Sequence, residues 1–215
     1  YFIKNNKKNR ISRKPKRVIE EIIENFNFKL PKSVPPLSSI ISGYFSYDVI
    51  RYIEKIPNKN KDDLNVPDAR LIRPRTLVVH DNLKKRIFYI INCFKDERIN
   101  DYKKKYNEIL KEIENLIFLS NFNPNIFKRP YKNKELINNF DKIKSNIPKS
   151  KFLNNVLKAK KYIKLGDVFQ VVLSQRFEKK LTKNPLDIYK KLRTTNPSPF
   201  MYFFNFNDFQ IIGAS

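Results

Sequence analysis

The chain has 215 residues, enough for one or two domains with a sizeable core, and carries 45 Lys and Arg against 21 Asp and Glu, a net charge of +24. A hydrophobic share of 40% with 13% aromatic residues excludes a disordered polyelectrolyte. One Cys and one His exclude an internal disulfide framework and a closed zinc site, no apolar run approaches the ~20 residues of a membrane span, and no signal peptide is visible; these features suit the cytoplasm.

The chain opens on a basic stretch, Tyr1 to Arg17, in which Lys4, Lys7, Lys8, Arg10, Arg13, Lys14, Lys16 and Arg17 have no acid among them. Like-charged runs more often solvate than recognise, so a solvated loop is favoured over an anion-binding arm. Elsewhere Lys accompanies abundant Asn, Ile, Phe and Tyr, a skew expected of an AT-rich coding sequence, and reads as the default solvent-facing residue. The competing reading is a basic nucleic-acid-binding module, which needs a one-sided lysine face to neutralise phosphates.

Val18, Ile19, Ile22, Ile23 and Phe26 recur at helical spacing and predict a short helix, ended by Leu30-Pro31 and Val34-Pro35-Pro36. Ser39 to Tyr47 reads as a strand, followed by a helix from Asp48 to Ile56 with Asp48 as its N-cap. After a loop from Pro57 to Pro67, two β-rich runs, Leu71 to Val79 and Arg86 to Phe94, form a predicted hairpin about His80-Asp81-Asn82-Leu83-Lys84. His80-Asp81 is a catalytic pair only on paper, since neighbours on a strand point to opposite faces, and Cys93 sits in an apolar strand. An amphipathic helix is predicted from Asp101 to Leu119, and Asn121 to Ser150 is read as a linker.

The last third is the most informative. Phe152 to Leu165 is a helix by spacing, with Gly166 where a left-handed cap belongs. A strand follows from Asp167, with Phe169, Val171, Leu173 and Phe177 on one face and Gln170, Val172, Ser174 and Arg176 on the other. Asn184-Pro185 supplies an N-cap and first-turn proline for a helix, Pro185 to Thr195, packing through Ile188, Tyr189 and Leu192. Phe200 to Phe204 and Phe209 to Ala214 flank Asn205-Phe206-Asn207-Asp208 as a second hairpin.

In order, a helix, Gly166-Asp167-x-x-Gln170-Val171-Val172-x-Ser174-x-Arg176-Phe177, a helix, and Asn196-Pro197-Ser198-Pro199-Phe200-Met201-x-Phe203 resemble the start of the chorismate-binding domain of anthranilate synthase component I. Gly43-Tyr44-Phe45-Ser46-Tyr47-Asp48 with Arg51, and Pro67-Asp68-Ala69 with Arg73-Pro74, resemble its N-terminal region. The resemblance implies a truncated α+β fold, with residues 1–145 an incomplete N-terminal region and 150–215 the opening of the catalytic domain. It also implies an internal slice of a longer cytoplasmic lyase that makes anthranilate and pyruvate from chorismate and ammonia, the ammonia coming from glutamine through a partner amidotransferase subunit.

Within that family, Gln170 stands where water-adding relatives carry a basic lysine. A glutamine cannot take a proton at neutral pH, so Gln170 is expected to line the active site without acting as a general base. Aminodeoxychorismate synthase shares this glutamine and is the same-class alternative. The Asn196-Pro197-Ser198-Pro199 segment favours anthranilate synthase, where it lines a feedback site for L-tryptophan; Asn196, Pro199, Phe200 and Met201 are the residues carried over, although Phe200 and Met201 could equally be core. Arg176 and Ser174 read as structural. The Mg²⁺ ligands, the catalytic His and the Pro-Ile-x-Gly-Thr loop of the family are expected downstream of Ser215, and the Leu-Leu-Glu-Ser part of the tryptophan pocket upstream of Tyr1. No metal site, specific nucleic acid or membrane is expected of residues 1–215.

Overall fold

The computed structural model of the chain describes residues 2–4, 7–9, 14–25, 29–94, 100–121 and 143–215. Phe26, residues 1, 5–6 and 10–13 of the basic stretch, and residues 122–142 of the predicted linker lie outside them. The chain divides into two compact units, Tyr1–Arg129 and Pro130–Ser215. Helices and antiparallel two-stranded sheets alternate in both, so the fold is α+β.

In the first unit, β1 (Phe2–Lys4) pairs with β2 (Lys7–Asn9). Helix α1 (Pro15–Asn25) begins on a proline, whose missing N–H costs the first turn nothing, and half-buries Val18, Ile19 and Ile22. β3 (Ser42–Phe45) then runs antiparallel to β4 (Ala69–Ile72), with Ser42 opposite Ile72 and Phe45 opposite Ala69.

Two expectations need correction here. The segment after β3 is a 3-10 helix over Tyr47–Tyr52, its N-cap is Ser46, and Asp48 lies in its first turn. Hydrogen bonds from outside the segment override its α-helical spacing: the Ser46 N–H donates to the Asp68 carbonyl at 2.6 Å, and Arg51 Nη1 donates to the Ile56 and Pro57 carbonyls. The run from Leu71 to Val79 is also two strands, because Pro74 has no N–H with which to continue a ladder. β4 ends at Ile72; β5 (Thr76–Asp81) pairs instead with β6 (Arg86–Ile91), from Thr76 opposite Ile91 to Asp81 opposite Arg86.

That hairpin turns on Asp81, whose Oδ1 accepts from the N–H groups of Leu83 and Lys84, both at 3.0 Å, while Lys85 takes a left-handed φ of 52°. Helix α2 (Tyr102–Asn121) is capped by Asp101, which accepts from the Lys104 N–H. It packs on β6 and is pinned by Tyr89 and Ser120, whose hydroxyls lie 2.6 Å apart. Arg75 forks onto Glu112 at 2.6 and 3.0 Å.

In the second unit, β7 (Lys144–Ser145) pairs with β8 (Phe177–Glu178), and between them lies α3 (Lys149–Leu165). Gly166 closes α3 at φ 80°, a conformation that glycine adopts without a Cβ penalty. Helix α4 (Pro185–Thr195) starts as expected: the Leu186 N–H donates to Asn184 Oδ1 at 2.9 Å. β9 (Met201–Asn205) and β10 (Gln210–Ala214) pair from Met201 opposite Ala214 to Asn205 opposite Gln210. Tyr189 of α4 meets Phe203 at 5.9 Å between ring centres, and the aromatic row Tyr202, Phe204, Phe206 and Phe209 has neighbouring centres 5.2 to 5.6 Å apart. The strand predicted from Asp167 is not formed over residues 167–176, which bend at Asp167 and Phe169; among the described residues only Phe177 and Glu178 of it find a ladder partner. Phe206 is the one buried apolar residue among those described.

The Arg75–Glu112 pair generates the first prediction. Arg75 hydrogen bonding, partly opposed by burial and reinforced by the charges of Arg75 and Lys105, holds the Glu112 carboxyl below the ordinary carboxylate range. Both side chains are over a third exposed, so solvent screening limits the pair to about 1 kcal/mol. Arg75→Ala lowers the unfolding free energy measured in urea by about that amount at neutral pH. Because the folded-state pKa is depressed, the wild-type advantage is complete above the usual carboxylate range and fades as pH falls through the lowered value, so the difference vanishes in acid.

Candidate functional site

The motif-bearing segments fall in three places. The first is the stretch after α3. Its entry is set by the Gly166 cap and the Asp167 N–H, which donates to the Tyr162 carbonyl. At its far end Gln175 Nε2 donates to Ser145 Oγ at 2.7 Å, the Arg176 N–H donates to Asn146 Oδ1 at 2.9 Å, and the Asn146 N–H returns to the Arg176 carbonyl. The Arg176 guanidinium also pairs with Glu178. Arg176 is thus engaged within its own segment and with Asn146. Gln170 lies between these two clamps with its side chain exposed, beside Phe169 at 95% exposure.

The second place is the crossing from α4 into β9. Asn196 is the C-cap of α4, its N–H donating to the Leu192 carbonyl at 2.8 Å. Ser198 Oγ donates to the Ser215 carbonyl and accepts from the Phe200 N–H, and the Ser215 N–H donates to the Phe200 carbonyl at 2.8 Å. These bonds hold the segment against the end of β10. Pro199 and Phe200 are exposed, Phe200 at 74%, while Met201 is half-buried opposite Ala214. The predicted residues 196, 199, 200 and 201 are thus brought together by one short connection. Gln170 is far from them in sequence, and no hydrogen bond among the described contacts joins it to them.

The third place is the N-terminal motif pair, where the hydrogen bonds show a purpose that spacing left hidden. Asp68 accepts from the Tyr52 hydroxyl at 2.6 Å and from Ser46 Oγ at 3.3 Å, and the Pro67 carbonyl accepts from the Tyr44 hydroxyl at 2.7 Å. Asp48 accepts from Arg51 Nε at 2.7 Å. Arg73 stacks its guanidinium 4.0 Å from the centre of the Phe94 ring. Gly43, at φ 155°, lies so close to β4 that a Cβ would overlap the Arg70 carbonyl. The motif residues at 43–51 and 67–74 brace β3, the 3-10 helix and β4 against one another. Asp68 and Tyr52 are the residues that sequence reasoning missed; the signal was the Pro67-Asp68-Ala69 motif itself, which gave no partner.

Among the described residues, no group of three or more His, Cys, Asp or Glu side chains is placed to hold a metal ion, so no step through Mg²⁺ is derived from this chain. Nor is any helix among them long and apolar enough to cross a membrane.

Two predictions follow from the Asp68 network. Its hydrogen bond, then burial, then its charge push the Tyr52 hydroxyl up to about 12. A Tyr52→Phe difference titration by phenolate absorbance isolates the Tyr52 transition at about 12, and Asp68→Asn returns it toward 10. Since the folded-state pKa is raised, the stabilisation is full below the unfolded value and disappears as pH climbs through the folded one. Separately, Gly43→Ala forces β3 and β4 apart and costs about 1–3 kcal/mol in chemical denaturation.

The sequence of residues 2–215 matches the family model described as chorismate binding enzyme. The chain is 34% identical over 215 residues to anthranilate synthase component 1 of Acetivibrio thermocellus, covering 99% of this chain and 42% of that protein. It is also 34% identical over 205 residues to anthranilate synthase component 1 of Saccharomyces cerevisiae, covering 94% of this chain and 39% of that protein. The crystal structure of anthranilate synthase component I from Streptococcus pneumoniae TIGR4 superimposes with a TM-score of 0.68 at 32% identity, over 95% of this chain and 44% of that one. The chain thus spans about two fifths of the length of the relatives it matches.

Proposed function

The chain belongs to the chorismate-binding enzyme family, and from that premise we propose that it forms part of an anthranilate synthase component I. The whole enzyme would act as a cytoplasmic lyase, converting chorismate and ammonia to anthranilate and pyruvate for tryptophan biosynthesis. The match over residues 2–215 carries this reading, because it runs through all four motifs in their family order. In this reading Gln170 lines the chorismate site: its amide donates and accepts hydrogen bonds but takes no proton, which suits a nucleophile that arrives as ammonia. A glutamine amidotransferase subunit supplies that ammonia, and Mg²⁺ neutralises substrate carboxylate when bound to residues of the family that residues 1–215 do not match.

Asn196, Pro199, Phe200 and Met201 contribute one wall of a feedback site for L-tryptophan. The exposed Phe200 ring and Pro199 offer an apolar surface for an indole, and the cap at Asn196 orients polar backbone groups beside it. The Asn-Pro-Ser-Pro segment favours this reading over aminodeoxychorismate synthase. In this reading the metal ligands and the acid–base residues come from outside residues 1–215, and residues 1–215 by themselves turn over no chorismate.

The experiment is to express residues 1–215 and follow anthranilate fluorescence with chorismate, Mg²⁺ and ammonium, then titrate tryptophan by calorimetry. The expected outcome is no turnover and tryptophan binding weaker than about 1 mM, weakened again by Phe200→Ala. Turnover above background would disprove the assignment of the chemistry to residues outside this chain, and micromolar affinity would show that the 196–201 segment is a complete site.

A further inference from the structure

Helix α3 carries six lysines, Lys149, Lys151, Lys158, Lys160, Lys161 and Lys164, and no acid. Its half-buried residues are Phe152, Asn155, Val156 and Ala159, the i, i+3, i+4, i+7 spacing of a single stripe. At 3.6 residues per turn that stripe takes up an arc of about 100°, and all six lysines fall outside it, at exposed positions. The lysines of this helix therefore form a one-sided face. Among the described residues none of the six is engaged in an ion pair, whereas Arg176 and Lys190, elsewhere in the same unit, meet Glu178 and Asp187. Residues 143–215 hold fourteen Lys and Arg against four Asp and Glu, so little acid is left to neutralise the face.

We propose that the exposed side of α3 is a docking face for the phosphodiester backbone of nucleic acid, bound without regard to base sequence. Charge complementarity selects the occupant. From Lys149 to Lys164 the axis advances about 22 Å, the length of roughly six base-pair steps, so several ammonium groups reach successive phosphates together and release their counterions. Lysine is a point charge on a flexible stem, suited to phosphate rather than to bidentate reading of a base edge. A bilayer or an apolar partner helix fits the face less well. Leu153 and Leu157 are exposed, but Lys149, Lys160 and Lys164 share their side of the helix and interrupt any apolar seam. A second copy would bring like charges together. Nothing in this face depends on the binding of chorismate or tryptophan.

The test is fluorescence anisotropy of labelled duplexes of about 20 base pairs with residues 1–215, in salt from ~50 to ~200 mM. Four to six contacted phosphates give a slope of log affinity against log salt of about −4 to −5 and a loss of at least about 100-fold over that range, alike for two duplexes of unrelated sequence. The triple variant Lys158→Gln, Lys161→Gln, Lys164→Gln keeps good helix formers in place and moves the slope about 2 to 3 toward zero. Its counterpart on α2, Lys103→Gln, Lys104→Gln, Lys111→Gln, removes the same charge from exposed positions and leaves the slope within about 1 of the parent value. Equal changes in the two triples overturn the proposal, because the binding then belongs to the net charge of the whole chain. No binding at ~50 mM salt overturns it outright, and a preference of about tenfold or more for one duplex overturns it by assigning base contacts. Displacement of the duplex by phosphatidylserine vesicles at a lower phosphate concentration than unlabelled duplex requires also overturns it, and assigns the face to a membrane surface.

Discussion

A two-stranded hairpin cannot close a hydrophobic core by itself, and every sheet among the described residues is two-stranded. Each of the larger hairpins is therefore backed by one helix. In the first unit α2 lies on β6, joined by the Arg75–Glu112 fork and the Tyr89–Ser120 contact. In the second, α4 meets β9 through Tyr189 and Phe203. One helix does not enclose a two-stranded sheet, and Val78 stays 55% and Ile87 52% exposed on a regular hairpin.

The same constraint separates the motif residues into two kinds. Those near the N-terminus hold the chain together: Asp68 receives Ser46 and Tyr52 from a segment about 20 residues earlier, and Gly43 allows β3 and β4 to approach. Those in the last third stand on rigid supports while their own side chains face outward. Gln170 lies between two backbone clamps, and Phe200 projects from a connection tied to the end of β10. Exposed side chains on a fixed backbone suit contact with something outside the segment, whether ligand or protein. Ion-pair and hydrogen-bond partners, by contrast, already occupy Arg176 and Asp68.

The large positive charge fits neither kind. The lysines line α2, α3 and α4 alongside polar neighbours, and the ion pairs that some of them make, such as Lys105 with Glu108 and Lys190 with Asp187, are exposed pairs one helical turn apart. Pairs of that sort contribute a few tenths of a kcal/mol and mainly keep the helices solvated.

The sequence by itself determined everything governed by neighbours along the chain. The Gly166 cap, the Asn184-Pro185 start of α4, hairpins about residues 80–84 and 205–208 whose turns the structure places at 82–85 and 206–209, and the family carried by four ordered motifs were legible there, because caps, prolines and alternation act within a few residues. Only the tertiary structure decided that residues 47–52 are a 3-10 helix, that the run from Leu71 divides at Pro74, and that, among the described residues, the run from Asp167 pairs as a strand only at Phe177 and Glu178. Each of those outcomes depends on a hydrogen-bond partner distant in the chain: Asp68 for Ser46, β3 for β4, and residues 144–146 for 176–178. Spacing reports which face a side chain takes, but not which backbone N–H will meet which carbonyl across 20 or more residues, and that pairing selects among the local structures a sequence permits.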